Sequence, residues 1–332
     1  MLSIPKNQAR SVWLAPMSGA TDAPFRRQVA KFGADAVVSE MTASAELVKA
    51  RPDVVRRTHR HEGNCPWIVQ LAGRRPEDMR AAAHYLAEAG VDQIDINMGC
   101  PSRQVTGGLS GSALMREPKL AESIIRATLE GAGATPVSLK MRLGWDHDLL
   151  NAPEIGRIAE DLGVVQLTVH GRTRCQFYKG EADWARIGET VQAVSVPVLA
   201  NGDIATVGTA RRALAASGAA GVMIGRAAIG RPWLVGQIAR ELAGEVVSAP
   251  SLGLRRQTLI DQLADAVELY GERQGVRITR KHISGAIFDA PLQISPPARR
   301  ALQSQLCQID RHTALVDALM ETFDGELVQE AA

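Results

Sequence analysis

Between Val12 and Gly225 the chain repeats one pattern eight times: a short apolar run, a turn of polar or glycine residues, and an amphipathic segment closed by glycine. Apolar runs bounded by turn residues and alternating with helical periodicity mark parallel β/α units. The runs are Val12–Ala15, Ala36–Val38, Trp67–Leu71, Gln93–Met98, Val137–Arg142, Val165–Val169, Val198–Ala200 and Gly221–Ile224. Eight consecutive units fit a closed (β/α)8 TIM barrel of the α/β class better than a doubly wound sheet, whose strand order switches before so many accumulate. The helix signals agree. Asp22 caps a segment with Pro24 in its first turn, Phe25, Val29 and Phe32 follow at helical spacing, and Gly33 stops it. Pro118 opens another helix, with Leu120, Ile124 and Ala127 on one face, that Gly131 is expected to end.

Beyond Arg226 the grammar changes. Ser248-Ala249-Pro250 interrupts the chain, and helical periodicity then runs through Leu259, Leu263, Val267 and Tyr270, through Ile278 to Ile287, and through Ala298 to Met320, with no returning strand signal. With 332 residues the chain exceeds a barrel of roughly 200–250 residues. The expected division is a barrel over 1–247 and a C-terminal helical bundle over 248–332. From Ser251 onward there are nine Lys or Arg against eleven Asp or Glu, yet Arg273, Arg277, Arg280, Lys281 and His282 cluster, as do Arg299 and Arg300.

Charge and cysteine usage exclude several classes. Lys and Arg total 38 against 36 Asp and Glu, a net charge of +2, so contacts with a polyanion must come from local patches. Met1 to Arg10 lacks an apolar leader core, and no run approaches the roughly 18 apolar residues of a membrane span. A cytoplasmic protein is expected. Cys65, Cys100, Cys175 and Cys307 are widely spaced, without a C-x-x-C pair, which argues for reduced thiols and against a structural metal.

The polar residues fall at strand carboxyl ends, the face where barrels carry chemistry. Pro16 and Met17, Gln70, Asn97 and Cys100, Lys140 and Arg142, His170, Asn201 and Asp203, and Gly225 and Arg226 all occupy such positions. Cys100 lies just past the fourth strand, where Gly99 and Pro101 cannot continue a ladder. A glycine-rich loop from Ser102 to Gly111 follows it and reads as a mobile cover. The thiol is a candidate acid or nucleophile. An ordinary thiol, with a pKa of about 8.5, is largely protonated near neutrality and so can donate. The loops after strands seven and eight, Asn201-Gly-Asp and Gly225-Arg226, are where barrels commonly hold a phosphate. No G-x-G-x-x-G opens a helix after a strand, so FMN suits this chain better than a Rossmann-bound dinucleotide. Lys140 could set its ammonium beside the flavin pyrimidine edge and stabilise charge that develops on reduction, or else pair with a carboxylate.

Together, Ala15-Pro16-Met17, Thr21-Asp22-x-Pro24-Phe25-Arg26, Ser39-Glu40-Met41, Asp95-Ile-Asn-Met-Gly-Cys-Pro101, Gly111-Ser-Ala-Leu114, Leu139-Lys-x-Arg142, His170-Gly-Arg-Thr173, Asn201-Gly-Asp-Ile204, Ile224-Gly-Arg226 and Arg280-Lys-His282 resemble the tRNA-dihydrouridine synthases, in particular their bacterial B-type branch. The resemblance spans residues 12 to 285. It implies an FMN barrel with a helical tRNA-binding domain, reducing the C5=C6 bond of a D-loop uridine in tRNA with electrons from NADPH (or NADH), and it implies a monomer. Carried over to matching positions, it implies Cys100 as proton donor. Pro16, Met17, Ser18, Gln70, Lys140, His170, Asn201, Gly202, Asp203, Gly225 and Arg226 would be FMN contacts. Asn97, Arg142, His170, Arg172, Arg280, Lys281 and His282 would be substrate contacts. Two departures, Gln104 in place of a common lysine and Gly285-Ala286 in place of aromatics, bear on RNA contacts. A small-molecule FMN oxidoreductase of the dihydropyrimidine or dihydroorotate kind would not need the helical appendage, and an RNA-binding protein on a retired barrel would not need Cys100 or Lys140.

Overall fold

The computed structural model describes residues 10–324 apart from 62, 103, 104, 106 and 108. Nine parallel strands are found among them: β1 (Ser11–Leu14), β2 (Ala36–Val38), β3 (Thr42–Ala43), β4 (Trp67–Ala72), β5 (Gln93–Met98), β6 (Val137–Arg142), β7 (Gln166–His170), β8 (Val198–Asn201) and β9 (Gly221–Ile224). The sheet runs β2-β1-β9-β8-β7-β6-β5-β4-β3, and β2 also pairs with β4, which closes eight strands into a barrel. The ninth, β3, is an addition that the sequence pattern did not announce. Its two residues extend the upper end of β4, pairing with Leu71 and Ala72.

The helices are α1 (Ala23–Lys31), α2 (Ser44–Val48), α3 (Pro52–Thr58), α4 (Pro76–Glu88), α5 (Pro118–Ala132), α6 (Ala152–Leu162), α7 (Trp184–Ala193), α8 (Val207–Ser217) and α9 (Trp233–Leu242), followed by α10 (Leu252–Tyr270), α11 (Glu272–Asp289), α12 (Pro296–Gln308) and α13 (His312–Asp324). Asp22 caps α1 by accepting the Phe25 N–H at 3.1 Å, as its position foretold. Gly131 does not end α5. The helix continues to Ala132 and turns at Gly133, with φ +58°, whereas a Cβ on Gly131 would lie 2.1 Å from the Arg80 carbonyl. Gly131 is a close crossing with α4 rather than a stop.

Both faces of a barrel strand are buried, so alternate residues face the helices and the barrel interior. Ile94, Ile96 and Met98 of β5 and Leu139 and Met141 of β6 join Ile124, Ile125 and Ile155 of the helices in the outer core. Each such fully buried side chain contributes on the order of 1.5–3 kcal/mol. The last four helices carry their own apolar core, including Leu259, Leu263, Ile283, Ile287, Leu306, Leu315 and Phe323. They dock on the barrel through Arg27 to Asp265 at 2.8 Å and through Asp289, which accepts from both Arg231 and Arg255 at 3.1 Å. No helix among the described residues is long and apolar enough to cross a membrane.

Candidate active site

The alternation that buries Ile94 and Ile96 outward turns Gln93, Asp95 and Asn97 inward, and on β6 it turns Ser138, Lys140 and Arg142 inward. The register then sets Asp95 beside Ser138, Asn97 beside Lys140, Arg142 beside His170, and His170 beside Asn201. One arc of the barrel interior is therefore polar and opens at the carboxyl ends of the strands.

Cys100 sits half-buried just beyond β5 on a backbone held from three sides. The Asn97 Oδ1 accepts the N–H groups of Gly99 at 3.2 Å and Cys100 at 3.0 Å. The Arg142 Nε donates to the Gly99 carbonyl at 2.7 Å, and Ser112 donates to the Cys100 carbonyl through both its N–H (3.1 Å) and its hydroxyl (2.8 Å). Lys140 and Arg142 both lie close enough to the thiol to couple to it electrostatically. The covering loop was expected from Ser102 to Gly111, but Arg103, Gln104, Thr106 and Gly108 lie outside the described residues.

Lys140 is buried and donates to the Asn201 Oδ1 at 3.0 Å, while the Asn201 Nδ2 donates to the Met223 carbonyl at 2.8 Å. A carbonyl can only accept, so Met223 fixes which way the Asn201 amide points. Burial, with Arg142 alongside, lowers the Lys140 ammonium from 10.5 to about 8. His170 is held far below its ordinary value by burial and then by Lys140, Arg142, Arg172 and Arg226, so its imidazole is neutral. With Arg172 paired to Asp203, the cations left around this neutral ring, Lys140, Arg142 and Arg226, make the mouth a place for an anion.

Some expected contacts turn out to be struts. Arg172 is 2% exposed and is bound to Asp203 through two N–H groups, at 3.0 and 2.5 Å, and to the carbonyls of Lys179 and Gly180. It braces the β7 and β8 loops. Burial opposes ionisation of Asp203, but Arg172, the Ala182 N–H and Arg226 outweigh it and hold the carboxyl below its usual value. Arg226 itself stays exposed, 3.7 Å from Asp203. The helical cluster divides in the same way. His282 is fully buried, 4.3 Å from the Phe25 ring, with Nε2 facing the Ala20 carbonyl at 3.1 Å, so it joins barrel to helices and has no surface for RNA. Burial lowers its imidazole to about 3. Arg280 is half-buried and donates to the Ile309 carbonyl at 3.3 Å. Lys281 is exposed overall, but its ammonium lies against Gly19 at the mouth. Arg299 donates to the carbonyls of Ile287, Ala290 and Leu292 and closes the end of α11. Gly285 packs where a Cβ would fall 2.3 Å from the Ile229 carbonyl. That departure belongs to the docking of α11 on the barrel, not to an RNA-facing surface.

Asp95 and Ser138 were missed. Asp95 is buried and accepts from the Gln70 Nε2 at 2.6 Å and the Ser138 hydroxyl at 2.7 Å, and Gln70 in turn accepts from the Asn97 Nδ2 at 2.7 Å. The polar member of every second position on β5 was the available signal. Tyr178 was also missed. It is 52% exposed, with Arg142 at 5.7 Å and Arg226 at 4.9 Å from its ring centre, and it comes from a loop with no periodicity to read.

Residues 13–323 match the family described as Dihydrouridine synthase (Dus). A probable tRNA-dihydrouridine synthase of Rhodobacter capsulatus is 52% identical over 274 residues, 82% of this chain and 84% of the relative. The tRNA-dihydrouridine synthase B of Xanthomonas axonopodis pv. citri is 46% identical over 289 residues, 86% of each. Among solved structures, the histamine dehydrogenase of Rhizobium sp. 4-9 aligns over 76% of this chain and 48% of its own, with a TM-score of 0.52 at 14% identity, a likeness of fold alone. With the family matched over nearly the whole chain and these relatives aligned over more than four-fifths of it, this protein belongs to the dihydrouridine synthase family of oxidoreductases.

Proposed function

We propose that the protein is a B-type tRNA-dihydrouridine synthase, reducing the C5=C6 bond of a D-loop uridine with FMN as resident cofactor and NADPH (or NADH) as electron source. The observation that carries the reading is the Cys100 thiol on its pinned backbone, beside Lys140 and Arg142 and above a polar barrel arc. The relatives named above support tRNA as the substrate.

The mouth suits FMN. The Lys140 ammonium has three N–H groups and uses one on Asn201, leaving donors for an electron-rich ring edge. Asp203 is already neutralised by Arg172, so Arg226 and the turn amides around Gly202 and Gly225 remain for a phosphate. Pro16, Met17, Ser18 and Gln70 would hold the ring from the β1 and β4 side, and His170 and Asn201 from the floor. FMN held by these residues would supply the two-electron hydride chemistry of the reduction.

The protein's own groups do the rest. Asn97 orients the uracil edge with the donor that Gln70 leaves free, and Arg142 with Nη2, because its Nε is taken by the Gly99 carbonyl and its Nη1 by those of Thr173 and Phe177. As charge gathers at C5, Cys100 gives its proton to that carbon and becomes a thiolate, which Lys140 and Arg142 stabilise until solvent returns a proton. Extruding the uridine from the folded RNA costs a few kcal/mol, which phosphate contacts elsewhere must offset. Arg273, Arg277, Arg280 and Arg311, with Glu272 and Asp310 between them, line a cleft of about 420 Å³ in the helical region; Arg311 pairs with Glu272 at 3.5 Å, so Arg273 and Arg277 are the best source of such contacts. We place the enzyme in the cytoplasm, as a monomer, with residues 1–247 as catalytic domain and 248–332 as RNA-binding domain.

The test is mass-spectrometric mapping of dihydrouridine in tRNA from cells with and without the gene. Loss of the modification at a D-loop position on deletion, restored by the parent gene and not by Cys100→Ala, is expected. An unchanged map, or a purified protein that neither holds nor accepts FMN, would overturn the reading.

A further inference from the structure

We infer that Asp95 is a positioning residue for Cys100, acting through a chain of amides whose sense it fixes from the barrel end, as the Gly99 and Cys100 N–H groups fix it from the other. The inference rests on Cys100 as the proton donor, but the geometry stands without it.

A carboxylate accepts hydrogen bonds and donates none. Asp95 takes one from the Ser138 hydroxyl at 2.7 Å and one from the Gln70 Nε2 at 2.6 Å. Because the NH2 end of Gln70 must face Asp95, its Oε1 must face Asn97, which donates to it from Nδ2 at 2.7 Å. The Oδ1 of Asn97 is thereby turned to the other side. There it accepts the backbone N–H groups of Gly99 and Cys100, at 3.2 and 3.0 Å. Turning any one amide over would set donor against donor at one end and acceptor against acceptor at the other. All the relaying side chains are buried, at 3% exposure for Asp95, 1% for Gln70 and 7% for Asn97, so solvent does not readily repair a reversed link. An acceptor-only group at the centre of the barrel and the donor-only N–H groups of the turn thus require the same sense, which ties the turn that bears the thiol to Asp95. Burial raises the Asp95 carboxyl, while Ser138, Gln70 and Lys140 oppose the rise, each favouring the ionised form on which the sense depends.

The decisive variant is Asp95→Asn, nearly identical in shape. Asparagine has one oxygen for two donors, so its NH2 must face either Gln70, which reverses the chain, or Ser138, which strands the hydroxyl hydrogen. The sense is then held only by the Gly99 and Cys100 N–H groups, and the pull from the barrel end is lost. In the double variant Asp95→Asn with Gln70→Glu, the acceptor-only group moves to position 70, where it can accept from both Asn97 and the new amide, and the original sense returns.

Two measurements read the outcome. Alkylation of the folded protein by iodoacetamide, followed by peptide mass analysis, compares Cys100 with the exposed Cys175 as internal reference. Single-turnover oxidation of the reduced holoenzyme by tRNA reads the acid step. For Asp95→Asn the Cys100 to Cys175 alkylation ratio should change by about tenfold, the effect of losing one net hydrogen bond on local opening. The single-turnover rate should fall by about 10- to 100-fold, as when an orienting partner is lost, with the tRNA KM unchanged. The double variant should restore the alkylation ratio, the readout that does not pass through the flavin contact at Gln70. Parental alkylation and turnover in Asp95→Asn would overturn the inference. So would an alkylation defect that the double variant leaves unrepaired, since Asp95 would then matter only as packing. If Asp95→Asn does not fold, the double variant decides alone: a parental alkylation ratio supports the relay and an altered one overturns it. The alkylation arm needs no RNA, so it separates failure of the relay from failure of the tRNA reading.

Discussion

The two arcs of the barrel interior are built from the same strand geometry and filled with opposite chemistry. Strands β4 to β8 turn Gln70, Asp95, Asn97, Ser138, Lys140, Thr168, His170 and Asn201 inward, nearly all buried and hydrogen-bonded in chains. Strands β1, β2 and β9 contribute Trp13, Ala15, Ala36, Val38 and Met223, which join Ile68 and Leu199 in a separate apolar cluster. The helical region docks on the α1 and β9-loop side, behind that apolar arc. The apolar arc stabilises by removing carbon from water and tolerates modest changes of shape. The polar arc gains little net stability from its hydrogen bonds, but each link constrains the next, so it fixes geometry.

Substitutions in the two arcs should therefore separate rate from stability. The largest effect is expected for Cys100→Ala, which should slow oxidation of the reduced enzyme by tRNA by about 10²- to 10⁴-fold with flavin content intact. Parental turnover in single-turnover kinetics would make the thiol a packing group and blur the distinction between arcs. Lys140→Met should slow flavin reduction by about 10²- to 10³-fold, the range for loss of a positioned charge-stabilising donor. Because burial brings Lys140 down to about 8, its cation is present below that pH and lost above it, so the parental rate should decline above pH 8 and the Met profile should not. A matching stability effect carries the opposite benefit. Between about 8 and 10.5 the unfolded lysine holds the proton and the folded one does not, so this group favours folding increasingly as pH rises through that window, a gain the Met variant lacks.

On the apolar side, Ile68→Val should cost about 1 kcal/mol in denaturant unfolding and leave the turnover of folded protein unchanged. A rate loss there comparable to that of Lys140→Met would show that the arcs are not independent. The smallest effect concerns the helical region. Arg277→Glu removes an exposed cation from the cleft and should flatten the log–log salt dependence of tRNA binding by about 0.7 to 0.9, one phosphate contact, without changing flavin reduction.

The strand and helix succession was legible because it depends on short-range periodicity, and the eight barrel strands fell within a residue or two of where the apolar runs lie. So was the gathering of Gln70, Asn97, Lys140, His170 and Asn201 in one mouth, since every parallel strand of a barrel ends on the same face. Which of these groups faces what was not legible. Arg172, His282 and Arg299 look in the sequence like cations or donors offered to a ligand, and each is consumed by carbonyls or by Asp203. Their partners lie in loops and helix ends whose approach depends on chain crossings such as Gly285 against Ile229.

Asp95 shows the same boundary inside a single motif. The sequence by itself determined that a polar residue stands between Ile94 and Ile96, and the two-residue strand period turned it into the barrel. Only the tertiary structure decided that Gln70 from β4 and Ser138 from β6 would meet it, because hydrogen-bond partners across a sheet are set by strand register and not by any local preference of the chain.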